Sequence, residues 1–273
     1  CLSSRFMKMY VTRDVYKIYN WLLEEMGYPL LPTVQYEKRQ LQYEDVFPML
    51  YLKYRLEGGK KHKQIKHLVI DEMQDYSYLQ YVILDYLFSC KMTILGDKQQ
   101  TIDTTERDVL TFLPKILGKD IRKIVMNKSY RNTVEIAQYA NSITANTDME
   151  LFERHGKAVE ERKTDKKEAI DFVINKIKEV GEKYETIAII TMTEKEAEEF
   201  YRQLQERGMQ ASYLDRDSMH FQKGVTVTTF YMAKGLEFDC VFGISSKWNE
   251  EKGKQGKYIC ATRALHELYM MEM

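Results

Sequence analysis

Apolar positions along the chain fall into two patterns. Short continuous runs occur at His67–Asp71, Met92–Leu95, Ile124–Met126, Thr186–Thr191, Val225–Thr229 and Cys240–Ile244. Runs of this length without alternation predict strands covered on both faces, as in a parallel sheet. Between them the apolar spacing changes to three and four, with Ile170, Val173, Ile174, Ile177 and Val180 in one stretch and Ala197, Phe200, Tyr201 and Leu204 in another. Each set makes one stripe on a helix. Thr193 with Glu196 three residues later forms a capping box, and Gly208 ends that helix. Asn132 with Glu135 predicts a further helix start, leading into Ile136–Ala140. Strands alternating with helices predict an α/β fold with parallel sheets. Residues 1–65 read as mainly helical, interrupted at Pro29 and Pro32, and no fixed-period repeat is present. A boundary between two domains is expected near 118–126, after Gly118 and the charged run Lys119–Lys123.

Composition narrows the class. In 273 residues, 44% are hydrophobic and 30% charged, enough for a sizeable core and unlike a disordered chain. No apolar stretch approaches the roughly 18 residues of a membrane span. Arg5, Lys8, Arg13 and Asp14 interrupt any leader-like run. A cytoplasmic protein without membrane contact is therefore expected, and a first residue of Cys1 is expected of a fragment or trimmed chain. The 41 basic residues balance the 41 acidic ones, which argues against a purely electrostatic nucleic-acid binder but leaves room for a local groove. One basic cluster, Lys60–Lys66 (KKHKQIK), reads either as a solvated loop or as a contact to a phosphate backbone. Cys1, Cys90, Cys240 and Cys260 have no CxxC spacing, so neither zinc nor a disulfide framework is expected. Cys90, Cys240 and Cys260 read as apolar filler, and the five histidines as structural or surface residues.

Five segments carry candidate chemistry. In Leu68–Asp75 (LVIDEMQD) a strand ends in Asp71 and Glu72. Carboxylates at the carboxyl end of a strand in an α/β sheet face the ligand crevice, where one can hold Mg²⁺ and the next can polarise water. The alternative is a strand ending in a solvated acidic turn. Thr93–Thr101 (TILGDKQQT) runs from a strand into a Gly96-Asp97 turn, with Gln100 beyond it. Lys128–Asn132 (KSYRN) places Tyr130 beside Arg131, a pair that could stack a base and clamp a phosphate, or be a half-buried ring beside a surface charge. Val227–Phe238 (VTTFYMAKGLEF) and Tyr258–Ala264 (YICATRA) complete the set.

Taken in this order, the segments resemble motifs II to VI of superfamily 1 helicases of the UvrD/Rep type, whose patterns are DExQD, GDxxQ, xYRS, KGLEF and ATRA. Residues 43–58, with Tyr43-Glu44-Asp45 and Pro48–Lys53, together with the VIDEMQDYS strand, resemble the HelD-like branch, which is associated with RNA polymerase. The resemblance implies two RecA-like (P-loop NTPase-type) α/β domains, the first incomplete over 1–122 and the second over 123–273. It implies ATP and Mg²⁺ as cofactors, with Asp71 serving the metal and Glu72 as catalytic base. Gln100 would contact the γ-phosphate and attacking water. Tyr130 would stack on adenine and Arg131 would reach the γ-phosphate. Gly235 and Glu237 would line the nucleotide cleft, and Arg263 would be the arginine finger supplied within the chain. Single-stranded DNA is the partner this implies, with core RNA polymerase as the HelD-like alternative, and a non-catalytic interaction module as a third.

The sequence also departs from that pattern. No GxxxxGK[ST] occurs, and Gly58-Gly59-Lys60-Lys61 is the nearest Gly/Lys cluster. Without a phosphate loop this chain alone is expected to hydrolyse little ATP. Met73, Lys98 and Tyr231 stand where Ala, Pro and His are usual, and the interval from Arg131 to Gly224 has no room for the large inserted domain of UvrD/Rep enzymes.

Overall fold

Asp14 accepts the Tyr16 backbone N–H and so starts helix α1 (Val15–Met26), whose Tyr16, Ile18 and Tyr19 are buried. The computed structural model describes residues 12–97, 109–118, 120–126, 128–144, 150–216, 223–250 and 252–273. These fall into two compact units, one up to Arg122 and one from Lys123 onward.

In the first unit the stretch after α1 is extended around Pro29 and Pro32. Side chains hold it: Asn20 exchanges two hydrogen bonds with the Leu31 backbone, and Tyr16 donates to the Pro32 carbonyl. Helix α2 (Tyr43–Glu57) follows. Strand β1 (His67–Ile70) pairs in parallel with β2 (Lys91–Ile94). The crossover is α3 (Tyr78–Leu87), begun by a reciprocal capping box of Ser77 and Gln80. Helix α4 (Val109–Leu117) completes a small core of Ile70, Tyr81, Val109 and Leu113. Cover on both faces fails for this two-stranded sheet. Leu68, Ile70, Met92 and Ile94 turn toward the core, whereas Val69 is 60% exposed.

The second unit has short β3 (Lys128–Ser129), parallel to β4 (Glu150–Leu151), with α5 (Val134–Thr144) between them. Its main sheet has six parallel strands: β5 (Glu160–Lys163), β6 (Thr186–Thr191), β7 (Ser212–Leu214), β8 (Gly224–Thr229), β9 (Phe238–Ser245) and β10 (Ala264–Glu272). Their order across the sheet is β5-β10-β9-β6-β8-β7. Helices α6 (Lys166–Val180) and α7 (Glu194–Glu206) bury Val173, Ile177, Phe200 and Leu204 against Ile187, Ile189 and Phe242. On the opposite face α5, short α8 (Phe230–Ala233) and α9 (Gly253–Arg263) bury Ile136, Phe230 and Ile259 against Ile190, Val241 and Met270. Here β6 and β9 are covered on both faces, the arrangement their unbroken apolar runs predict. The Thr193–Glu196 box forms with both reciprocal bonds. Cys240 and Cys260 are buried, and burial pushes both thiols up.

Several expectations need correction. Ile124–Met126 is not a strand but coil, with Ile124, Val125 and Met126 at 72, 70 and 84% exposure; no described strand lies beside them to pair with or cover them. The helix expected at Asn132 starts at Val134, because both capping side chains are engaged elsewhere. Asn132 donates to the Ala261 and Ala264 carbonyls, and Glu135 accepts from the Gly156 N–H and His155. The connection from β9 to α9 is anchored by buried Trp248, which donates to the Met271 carbonyl at 2.8 Å. The architecture is mixed α/β with parallel sheets, the class the sequence pattern predicts.

Candidate functional site

In the first unit the acid pair lies where β1 runs out. Asp71 is exposed, and its Oδ1 accepts the Glu72 N–H at 2.8 Å. Glu72 has φ 51° and ψ 50°, the left-handed region, and it is the one non-glycine residue with positive φ among those described. Such a conformation costs on the order of 1 kcal/mol or more and persists where its surroundings over-determine it. Those surroundings are visible. The Met73 N–H donates to the Leu95 carbonyl at 2.8 Å, the Asp75 N–H to the Glu72 carbonyl at 2.9 Å, and the Tyr81 hydroxyl to the Met73 carbonyl at 3.0 Å. Gln74, nearly fully buried, donates from Nε2 to the Glu72 carboxylate and accepts the Asp97 N–H on Oε1 at 3.0 Å. One amide therefore joins the DEMQD and LGD segments. Gly96 is required there, since a Cβ would come within 2.4 Å of Met73 Cγ and 2.5 Å of Gln74 Oε1. Gln100 lies outside the described residues.

Asp71 also bears on the metal. No group of three or more metal-ligating side chains exists among the described residues. An exposed carboxylate at a strand end, as Asp71 is, suits Mg²⁺ in the mode where waters and substrate phosphates fill the other positions.

In the second unit three segments meet. Arg131 Nε pairs with Glu237 at 2.7 Å, both half-exposed. Asn132 Nδ2 donates to the Ala261 carbonyl at 3.2 Å and to that of Ala264 at 2.6 Å. Arg263, 3% exposed, donates from Nη1 to the Leu236 carbonyl at 3.2 Å. Gly235, at φ 81°, makes the turn that presents Leu236 and Glu237. Tyr130 is exposed, with the Phe152 ring at 5.5 Å and Lys128 over its face at 5.6 Å. Arg154 donates to the Arg131 carbonyl and, at 2.8 Å, to that of Leu265. The KSYRN, KGLEF and ATRA segments thus form one cross-linked cluster, although about 130 residues separate its members.

Sequence reading passed over Gln74 as a site residue, although it stands inside the DEMQD signature. It also passed over Asn132 and Arg154 as ties, and Glu267. Glu267 is 2% exposed and takes hydrogen bonds from Tyr269 (2.6 Å), Tyr184 (2.8 Å), Lys157 (3.1 Å) and Lys183 (3.2 Å). Burial alone would raise its pKa, but the four donors outweigh burial and hold the carboxyl down at about 2. Its one sequence signal is a Glu beside the apolar run Leu268–Met271 after the ATRA segment.

Comparison with known proteins adds an independent observation. The profile of the viral superfamily 1 RNA helicase core domain matches residues 51–272. A probable DNA helicase II homolog of Mycoplasma capricolum is 25% identical over 198 residues, 65% of this chain and 27% of that protein. The ATP-dependent DNA helicase Rep of Buchnera aphidicola is 26% identical over 113 residues, 39% of this chain and 17% of its own length. The chain thus spans about a quarter or less of these curated relatives. Among solved structures, the C-terminal domain of a possible DNA helicase from Lactobacillus plantarum is 27% identical, covering 53% of this chain and 88% of that one, with a TM-score of 0.44.

Proposed function

Since the chain belongs to the viral superfamily 1 RNA helicase core family, we propose that it is part of an ATP-driven motor that moves on or remodels nucleic acid, with single-stranded DNA as the first track to test. The observation that carries this reading is the Gln74 amide. It ties the carboxylate of Glu72 to the backbone of the Gly96-Asp97 turn, so a change at the carboxylate shifts the turn with it. In this reading Glu72 orients and deprotonates the attacking water. Asp71 holds Mg²⁺, which with bound ATP supplies the phosphoryl chemistry. Gln100 contacts the γ-phosphate. Tyr130 stacks on the base, Gly235 and Glu237 border the nucleotide, and Arg131 and Arg263 neutralise phosphate charge. The first RecA-like domain is 1–122 and the second 123–273.

The test is ATP turnover by the full-length protein. Single-stranded DNA is expected to stimulate turnover strongly, and Glu72→Gln to lower it at least about 100-fold while the fold is retained. Turnover indifferent to DNA and RNA would sink the motor reading. A second reading, a HelD-like factor acting on RNA polymerase, is favoured by the sequence of the 43–58 segment, which carries that resemblance. It predicts co-elution with core polymerase and stimulation by polymerase instead of DNA. Absence of wild-type ATP turnover above background under either stimulus would leave the non-catalytic module.

A further inference from the structure

The basic run Lys60–Lys66 is not part of either motif cluster. It lies at the opposite end of the first unit's sheet from Asp71 and Glu72, leading into the start of β1. Its backbone is pinned. The Gly59 N–H donates to the Tyr86 hydroxyl at 3.1 Å, and the His62 N–H to the Leu87 carbonyl at 2.9 Å. The Ile65 N–H closes a turn on the His62 carbonyl at 3.1 Å. The His62 ring stacks on Phe88 at 5.0 Å and 20°, and Tyr54 stacks on Tyr86 at 6.2 Å. Lys61 sits over the Tyr86 face at 5.7 Å. Lys91 begins β2 in register with His67, so it stands one inter-strand spacing, about 5 Å, from the end of the loop. From Lys53 to Lys66 the sequence has six basic residues against one acidic residue, Glu57. Asp71, Glu72 and Asp75 follow beyond the far end of β1, and Asp85 lies on α3, the helix that holds the loop. Among the described residues no carboxylate pairs with Lys60, Lys61, Lys63, Lys66 or Lys91, all of which are exposed.

A loop that serves only solubility does not need its backbone tied to a neighbouring helix and closed by a turn of its own. Fixing it lowers the ordering entropy lost when a ligand binds. Lysines are compact, flexible point charges that can meet phosphate oxygens approached at varied angles. The aromatic rings here are half-buried supports, so they leave phosphate contact to the lysines and read no bases. We propose that the 60–66 loop with Lys91 is a second, sequence-independent contact for a nucleic-acid phosphate backbone, separate from the motif clusters. The inference rests on the motor reading for its choice of nucleic acid over an acidic protein.

The test measures binding of fluorescently labelled single-stranded DNA to the full-length protein, without nucleotide, across a salt series. The variant is Lys60→Ala/Lys63→Ala/Lys66→Ala, which leaves Lys61 on Tyr86. A control removes three exposed lysines of the second unit, Lys167→Ala/Lys178→Ala/Lys195→Ala. Each single-strand phosphate contact contributes about 0.7 to the slope of log affinity against log salt. The patch variant is expected to bind about tenfold or more weakly at low salt and to lose about 2 from that slope, with DNA-independent ATP turnover unchanged. The control is expected to keep the wild-type slope. An unchanged slope in the patch variant, with wild-type binding intact, overturns the patch and leaves the motor reading standing. Patch lysines that affect only capture of an acidic protein also overturn it. Wild-type protein that binds no DNA or RNA overturns both.

Discussion

Glu72 combines a left-handed backbone with a carboxylate held by a buried amide, and the two features constrain each other. Replacing Gln74 with Leu keeps the volume and removes both bonds, leaving the Asp97 N–H without its side-chain acceptor. The expected cost is about 1–3 kcal/mol, read as a lower urea midpoint of the first unit. Gly96→Ala forces a Cβ against Met73 and Gln74 and is expected to cost about the same through overpacking. At Glu267 the consequence is a pH dependence. Its pKa lies near 2 in the folded protein against 4.5 for a free side chain. The stabilisation it provides is therefore complete above about pH 4.5 and is lost as pH falls toward 2. Glu267→Gln should lower stability at neutral pH and flatten that acid limb in unfolding measured from pH 5 to pH 2. Equal slopes in both proteins would mean that Glu267 is not the titrating group.

At the scale of elements, α7 shows how a cap becomes tertiary. Glu196 closes the box on Thr193 and also accepts from Ser245 Oγ at 2.7 Å and the Ser246 N–H at 3.0 Å. Thr193→Ala is expected to cost about 1 kcal/mol, the usual loss for a helix cap. Glu196→Ala should cost more, because it also frees donors at the end of β9; chemical unfolding of the two variants measures the difference. The box itself was legible in the sequence, as were α6 and strands β6, β8 and β9, because local pattern and burial agree there. Strands β7 and β10 were not among the expected runs, and neither was β5. Its residues Glu160-Glu161-Arg162-Lys163 are polar, and it is a strand because β10 offers it a backbone partner at the sheet edge. Ile124–Met126 failed in the opposite sense, with apolar residues and no neighbouring strand among the described residues. Within the candidate site the motif residues could be read from their signatures. The ties between them could not, since Asn132 looks like a helix cap until its two distant carbonyl partners are known.

For the whole molecule, the two units differ in how much they bury. Among the described residues the first has one small cluster around Ile70, Tyr81, Val109 and Leu113, with a few more buried positions on α1 and α3, and the second has two extensive clusters, one on each side of its sheet. Heating is therefore expected to give two transitions, the first unit melting earlier and the calorimetric enthalpy exceeding the van't Hoff value. A single two-state transition would contradict this. The position of β10 matters in another way. It joins β5 on one side and β9 on the other, yet it follows both in sequence. A ribosome making this protein thus releases every other strand of the sheet before the one that belongs between two of them. Until residues 264–272 emerge, β5 has no neighbour, β9 has an open flank and the carbonyls awaited by Asn132 are incomplete. A chaperone acting on the nascent second unit would therefore meet Phe242, whose ring Tyr269 covers in the folded sheet, until β10 emerges, and a chain cut before residue 264 would stay in that condition permanently.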